Sequence, residues 1–229
     1  MWEQIGARPA LMNGTDDDRQ GSDSAALWFQ TPERAIVLGD QTKVWAYGPK
    51  TKSWHTYTAS KGVSIQIGAS NSSRWSDLVA LRFFGEPIAE IAVFSKKAEK
   101  WIRQPLAEPA LGKELSPFLQ KTYAVYLTGR HAYVFSEVTG TWSQQALKEP
   151  GQDPFIQSTS PGYAIYHDSR TVHAFSAVKG TWKTMEVEKG AAAQIHAGPA
   201  KTALIVNGSR LYSYDPRKAD FEEVKADED

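Results

Sequence analysis

Five glutamines, Gln30, Gln66, Gln120, Gln157 and Gln194, lie within or at the end of short apolar runs: "ALWFQ", "VSIQI", "PFLQ", "PFIQS" and "AAQIH". A side-chain amide both donates and accepts hydrogen bonds, so amides gathered at one place could hold a polar ligand or ordered water. Four basic residues, Lys43, Arg130, Arg170 and Arg210, recur beside the turn-like segments "GDQT", "TGR", "DSR" and "NGSR". Arginine grips carboxylate or phosphate groups bidentately, so such a set suits an acidic partner. The plainer role of charged turn tips is to keep strand edges soluble. Carboxylates at Glu33, Asp77, Glu114, Asp153 and Glu188 lie between the apolar runs, where two of them could converge as the acid and base of a glycosidic cleavage. Asp16, Asp17 and Asp18 offer oxygens to a cation but lack the spacing of an EF-hand loop. The histidines His55, His131, His167, His173 and His196 show no HExxH or comparable metal spacing. Asn13, Asn71 and Asn207 head N-x-Ser/Thr sequons, which matter in a secreted protein.

Composition narrows the classes. Of 229 residues, 41% are apolar, enough for a real core, and Lys+Arg and Asp+Glu are both 26. Zero formal charge removes the basic footprint of a general nucleic-acid binder, whose affinity comes from neutralising phosphates. With no cysteine there is neither disulfide nor thiol chemistry. No apolar run reaches the roughly 20 residues that span a bilayer. The expectation is a soluble protein, cytoplasmic or exported with a leader removed.

The elements that must position these residues follow from a repeat. Tyr47 precedes Trp54 by seven residues, and Phe94–Trp101, Phe135–Trp142, Phe175–Trp182 and Tyr214–Phe221 repeat that interval. The second aromatic recurs at gaps of 47, 41, 40 and 39. Ahead of each pair lies a β-prone run ("AIVL", "LVALRFF", "YAVYL", "YAIYH", "ALIV") followed by a turn segment, the pattern of a hairpin. The glutamine-bearing runs supply a first strand and the pair supplies the third and fourth, so each unit is four antiparallel strands. Two aromatics flanking a six-residue connection can face each other across a hairpin, Cβ atoms roughly 5 Å apart. A lone sheet cannot cover such rings on both faces, whereas sheets stacked face to face can. That is the logic of a β-propeller.

The "YDPRKADF" segment at 214–221 and its relatives ending at Trp54, Trp101, Trp142 and Trp182 resemble the Tyr…Trp half of the kelch repeat, over roughly residues 24–224. The double glycine of that family is absent: single glycines at Gly39, Gly85, Gly129 and Gly208, and Asp168 in the fourth copy, stand in its place. The resemblance implies an all-β propeller of five blades of four antiparallel strands, the alternative being six with one incomplete. The expected organisation is one domain, 1–229, with blades at about 24–58, 62–106, 115–148, 154–188 and 191–225. Residues 1–9 read as an extra outer strand and 226–229 as an acidic tail.

In propellers the first strands line a channel, and the second-to-third strand turns share a face with the interblade loops. The expectation is a non-catalytic module binding a protein or glycan at one channel mouth, through the glutamines or the basic turns. The alternative is a glycoside hydrolase-like enzyme using the loop carboxylates. A copper oxidase of the galactose-oxidase type needs a Tyr cross-linked to Cys, which this chain cannot form. No cofactor, no nucleic acid and no membrane span are expected, and the chain is expected to be monomeric.

Overall fold

The computed structural model describes residues 29–30, 36–39, 41–67, 76–111, 114–147, 158–168, 170–190, 192–198 and 201–225. No α-helix occurs among them. Their strands form five sheets, each with its first four strands antiparallel and ordered as in the chain. The chain divides into two compact units, Met1–Ser116 and Pro117–Asp229.

The first unit holds two sheets. Sheet 1 comprises β1 (Phe29–Gln30), β2 (Ile36–Gly39), β3 (Lys43–Gly48) and β4 (Ser53–Thr58). Sheet 2 comprises β5 (Val63–Ile67), β6 (Leu78–Gly85), β7 (Ile88–Ser95) and β8 (Lys100–Ala110). A register shift between Ile88 and Glu90 distorts β7, and the chain returns as an unanticipated strand, β9 (Glu114–Leu115), paired with β6 through Phe83 and Phe84. Arg82 fastens β9 by donating to Ser116 Oγ at 3.0 Å and pairing with Glu114.

The second unit holds three sheets of four strands. Sheet 3 is β10 (Pro117–Leu119), β11 (Tyr123–Leu127), β12 (His131–Ser136) and β13 (Thr141–Ala146). Sheet 4 is β14 (Ser158–Ser160), β15 (Tyr163–His167), β16 (Thr171–Ser176) and β17 (Thr181–Glu186). Sheet 5 is β18 (Gln194–Ala197), β19 (Ala203–Asn207), β20 (Arg210–Asp215) and β21 (Asp220–Glu223). The protein is therefore all-β and built of propeller blades, as the repeat predicts.

All five aromatic pairs are direct cross-strand partners: Tyr47↔Trp54, Phe94↔Trp101, Phe135↔Trp142, Phe175↔Trp182 and Tyr214↔Phe221. Ring centroids lie 5.4, 5.4, 5.4, 5.2 and 5.1 Å apart. The seven-residue interval is set by the turn between them, whose last residue adopts a left-handed conformation in every sheet. Lys52 (φ 50°), Glu99 (49°), Gly140 (73°), Gly180 (69°) and Ala219 (58°) hold that position, two residues before the second ring. Glycine enters this region freely, whereas another residue pays roughly 1–2 kcal/mol.

The two rings of each pair are not buried equally. The third-strand ring is buried in every sheet, while its fourth-strand partner is half-buried, because the fourth strand is an edge. Neighbouring sheets within a unit share cores. In the second unit, Tyr123, Val125 and Val134 of sheet 3 pack with Ala164 and Phe175 of sheet 4. Tyr163, Ile165 and Ala174 of sheet 4 pack with Ala203, Ile205 and Tyr214 of sheet 5. Buried hydroxyls follow the same repeat. Tyr123 Oη donates to Tyr163 O, and Tyr163 Oη donates to Thr202 O at 3.0 Å. Ser136 Oγ donates to Ala177 O and Ser176 Oγ to Pro216 O. Each such bond contributes about 0.5–1.5 kcal/mol and sets the register between sheets.

In the first unit the joint is ionic as well as aromatic. Tyr57 of β4 lies against Phe83 and Trp101 of sheet 2, and the Arg103 guanidinium sits 4.7 Å above its ring. Tyr57 Oη and Arg103 Nη1 both donate to Glu90 Oε1, at 3.3 and 3.1 Å. Burial, then the Glu90 charge, push the Tyr57 phenol well above its ordinary pKa.

Candidate functional site

The second-to-third strand turns of the second unit have equivalent ends in the three sheets: Thr128 and His131, Asp168 and Thr171, and Asn207 and Arg210. In the first two, the first residue's N–H donates to the fourth residue's carbonyl, at 2.9 Å from Thr128 and 3.0 Å from Asp168. In the third, Asn207 and Arg210 are register partners. This aligns Asp168 with Thr128 and Asn207, rather than with the glycines that its place in the sequence suggests. A polar side chain opens each turn, and in the first two it satisfies backbone N–H groups of the turn itself. Thr128 Oγ1 accepts from His131 N at 3.0 Å. Asp168 Oδ1 accepts from Arg170 N and Thr171 N, at 2.9 and 2.7 Å. Asn207 reaches across to the chain leaving sheet 4, accepting from Glu188 N at 2.8 Å and donating to Glu186 O at 2.9 Å.

These turns carry Arg130, Arg170 and Arg210, all exposed. Arg210 Nε lies 3.6 Å from Glu188 Oε1. Hydrogen bonding and charge interaction with Tyr212, then the charges of Glu223 and Glu188, hold the Arg210 guanidinium above its already high pKa. Lys43 opens β3 at the corresponding turn of sheet 1, exposed and opposite Thr58.

Beneath the Arg170 turn lies a polar cluster that the sequence does not announce. His173 Nε2 lies 3.0 Å from Asp168 Oδ2. The Tyr166 ring stacks on the His173 ring at 4.7 Å and 7°. His173 has 0% exposure and Tyr166 has 2%. Burial alone would raise the Asp168 pKa, but hydrogen bonds from His173, Arg170 N and Thr171 N, with the His173 charge, bring it below the ordinary value. Burial, then the Asp168 charge, push the Tyr166 phenol up. With the imidazole sealed from solvent, the carboxylate–imidazole pair braces the turn rather than meeting a substrate. The sequence-level signals were the break in the repeat at Asp168, and a histidine where other third strands carry Trp45, Tyr133 and Tyr212.

The glutamines fall at different levels of their sheets. Gln66 faces Arg82 and Gln194 faces Val206, each three residues beyond the partner of the third-strand ring, Val79 or Ala203. Gln120 instead bonds through its N–H to Tyr123 O, one residue on the other side of Ala124, the partner of Phe135. Gln66 and Gln194 are exposed and Gln120 is half-buried. Gln30 lies in β1 with its side chain outside the described residues, as is all of Gln157.

Of the candidate carboxylates, Glu114 is held by Arg82 and Glu188 by Arg210, Asp77 is half-buried, and Glu33 and Asp153 lie outside the described residues. The same is true of Asp16–Asp18, Asn13 and Asn71, and of the segments 1–9 and 226–229. Among the described residues, no group of three or more His, Asp or Glu is placed to hold a metal ion. No helix among them is long and apolar enough to cross a membrane.

No family model and no curated protein matches this chain. Solved structures do. Hsv2 of Kluyveromyces lactis is 11% identical over 83% of this chain and 60% of its own, with a TM-score of 0.35. The Pan2 WD40 domain of Neurospora crassa is 11% identical over 88% of this chain and 65% of its own, with a TM-score of 0.31. Dihydro-heme d1 dehydrogenase NirN is 14% identical over 91% of this chain and 48% of its own, with a TM-score of 0.40. The chain thus spans less than two thirds of each.

Proposed function

We propose that this protein is a non-catalytic, kelch-like propeller that binds an acidic protein segment or anionic glycan at the second-to-third turn end of its strands. The observation that carries the reading is the set Arg130, Arg170 and Arg210, exposed at the second-to-third turns of three consecutive sheets of the second unit, Arg210 one position further on than the other two. Thr128 and Asp168 brace the first two turns from within and Asn207 ties the third to the chain leaving sheet 4, so the arginines stand on braced backbone and less backbone freedom is lost on binding. Within the second unit Gln194, opposite Val206 beside the Asn207 turn, would add a neutral hydrogen bond, whereas Gln120 lies towards the other end of β11. Lys43 and Gln66 would offer related chemistry at the corresponding turns of the first unit, taken by itself. Glu114, one carboxylate of the glycosidase alternative, is already paired with Arg82, which favours binding over acid–base chemistry, whereas Glu188 lies 3.6 Å from Arg210, so a ligand at Arg210 would replace that partner.

Peptide and glycan arrays at near-physiological salt test this. Saturable binding to acidic ligands should disappear when Arg130, Arg170 and Arg210 are all changed to Ala. Binding that survives the triple change removes the turns from the site, and turnover of a polysaccharide would overturn the non-catalytic reading.

A further inference from the structure

The opposite end of the strands in the first unit carries a second charged surface, beyond the function proposed above. It consists of the third-to-fourth strand turns of sheets 1 and 2, "GPKTKS" (48–53) and "SKKAEK" (95–100). Two lysines in the first, and three lysines against one glutamate in the second, give a net of four positive charges. In the second unit, the three equivalent turns hold Glu137, Lys179, and Asp215 and Asp220 against Arg217 and Lys218, which cancel to zero.

The two basic turns are clamped together. The Glu99 carboxylate accepts from Lys50 N through both oxygens, at 2.8 and 3.0 Å, and from Thr51 N at 2.7 Å. The approach is so close that a Cβ at Gly48 would stand 2.7 Å from Glu99 Oε2. The one negative charge of the pair is thereby turned inward, at 3% exposure, while Lys50, Lys52, Lys97 and Lys100 are exposed. Lys96 is buried with its ammonium on Ser76 O, so it adds little outward charge. Half-buried Asp77, whose carbonyl accepts from Lys96 N, is the other acidic residue at this end of sheet 2 among the described residues.

We infer that this pair of turns docks onto an anionic membrane surface. Lysine is a hydrated point charge without the planar fork that reads one carboxylate or phosphate, so four of them suit a diffuse negative potential better than a discrete anion. No exposed large apolar residue occurs on either turn to anchor a peptide side chain. A cluster of four sits at the lower limit of those that attract acidic lipid headgroups, each contributing about fivefold in partitioning.

The experiment is cosedimentation of the full chain with phosphatidylcholine vesicles containing about one third phosphatidylserine, against pure phosphatidylcholine. Expected is binding to the acidic vesicles alone, weakening as salt rises. It should fall by roughly 100-fold or more when Lys50, Lys52, Lys97 and Lys100 are changed together to Ala. A charge-matched variant with Lys61, Lys189, Lys201 and Lys225 changed to Ala should retain most of the binding; equal loss in both variants would assign the effect to net charge and overturn the inference. Inorganic phosphate at matched ionic strength should not compete, and displacement by it would point to a discrete phosphate site instead. Binding to poly-glutamate without binding to vesicles would assign the face to an acidic protein and equally overturn the inference. Loss of array binding in the arginine triple variant bears on the other surface and leaves this result untouched.

Discussion

Changing Glu99 to Gln perturbs one clamp without changing side-chain size. In the native protein three N–H···O contacts reach the carboxylate from two backbone N–H groups, all at 3.0 Å or less, and the residue is 3% exposed. An amide offers one acceptor oxygen and turns an NH₂ donor towards N–H groups that are themselves donors. Hydrogen bonds to charged groups contribute about 1.5–3 kcal/mol, and a covered donor left unpaired costs a similar amount. The left-handed backbone at position 99 is common to both proteins, so its strain cancels. We expect E99Q to lose about 2–3 kcal/mol at pH 7, read as a lowered urea midpoint at unchanged slope. The pH dependence provides the sharper test. Burial alone would raise the Glu99 pKa, but bonds from the Lys50 and Thr51 backbone, the Thr51 hydroxyl and the Lys50 charge bring it below its ordinary value. A lowered folded-state pKa means that the unfolded chain binds more protons. The stabilisation is therefore complete above the unfolded carboxyl value, about 4.3, and is lost as pH falls through the folded one. The gap between native protein and E99Q should narrow below about pH 4.5. A gap that is constant with pH, or under about 0.5 kcal/mol at pH 7, would refute the clamp.

Three further outcomes follow from the repeat. Ala219→Gly should stabilise the protein by about 0.5–1 kcal/mol in chemical denaturation, because Ala219 stands at φ 58° where two other sheets place glycine. Tyr163→Phe deletes the 3.0 Å bond to Thr202 O between sheets 4 and 5 and should cost about 0.5–1.5 kcal/mol by the same assay. Asn207 heads a sequon, yet it is 2% exposed and both its amide atoms are engaged. Expressed through a secretory pathway, the folded protein should carry no glycan there, checked by peptide mass before and after glycosidase treatment.

Much of the fold was legible because a hairpin converts a cross-strand contact into a fixed sequence interval. Phe135 and Trp142 stand seven apart since six residues of turn and strand end separate them, and the same turn returns in all five sheets. The half-burial of the tryptophans was not legible, because it depends on which strand is an edge. Strand β9 was hidden for a related reason: two residues pairing with an already pleated β6 leave no periodicity to read. Sequence alignment placed Asp168 among glycines, whereas the register set it beside Thr128 and Asn207. The side-chain bonds of these three link residues three to five apart or cross between sheets, and only a register reveals the shared position. The His173–Asp168 contact has a recognisable spacing, but the burial that gives it meaning comes from Tyr166, stacked from the strand alongside.

A comparison among the copies within one chain separates packing from function. Where the five sheets place the same chemistry at the same register, as in the buried third-strand ring and the left-handed turn residue, every sheet needs it to pack and to turn. Position-specific function should then be sought where the register is shared and the chemistry differs. The third-to-fourth turns fit that criterion: the left-handed residue is common to all five, whereas outward lysines are concentrated on the two joined by Glu99. The packing role of Glu99 belongs to those two turns alone, since no other sheet places an acid at the left-handed position. A carboxylate that ties cationic turns together also gathers their positive charge on one surface. That arrangement costs stability unless something outside the chain draws on the concentrated charge. Vesicle binding by E99Q connects the two ideas: it loosens the turns but also removes their one negative charge and leaves all four exposed lysines in place, so it should lower binding far less than removing the lysines does.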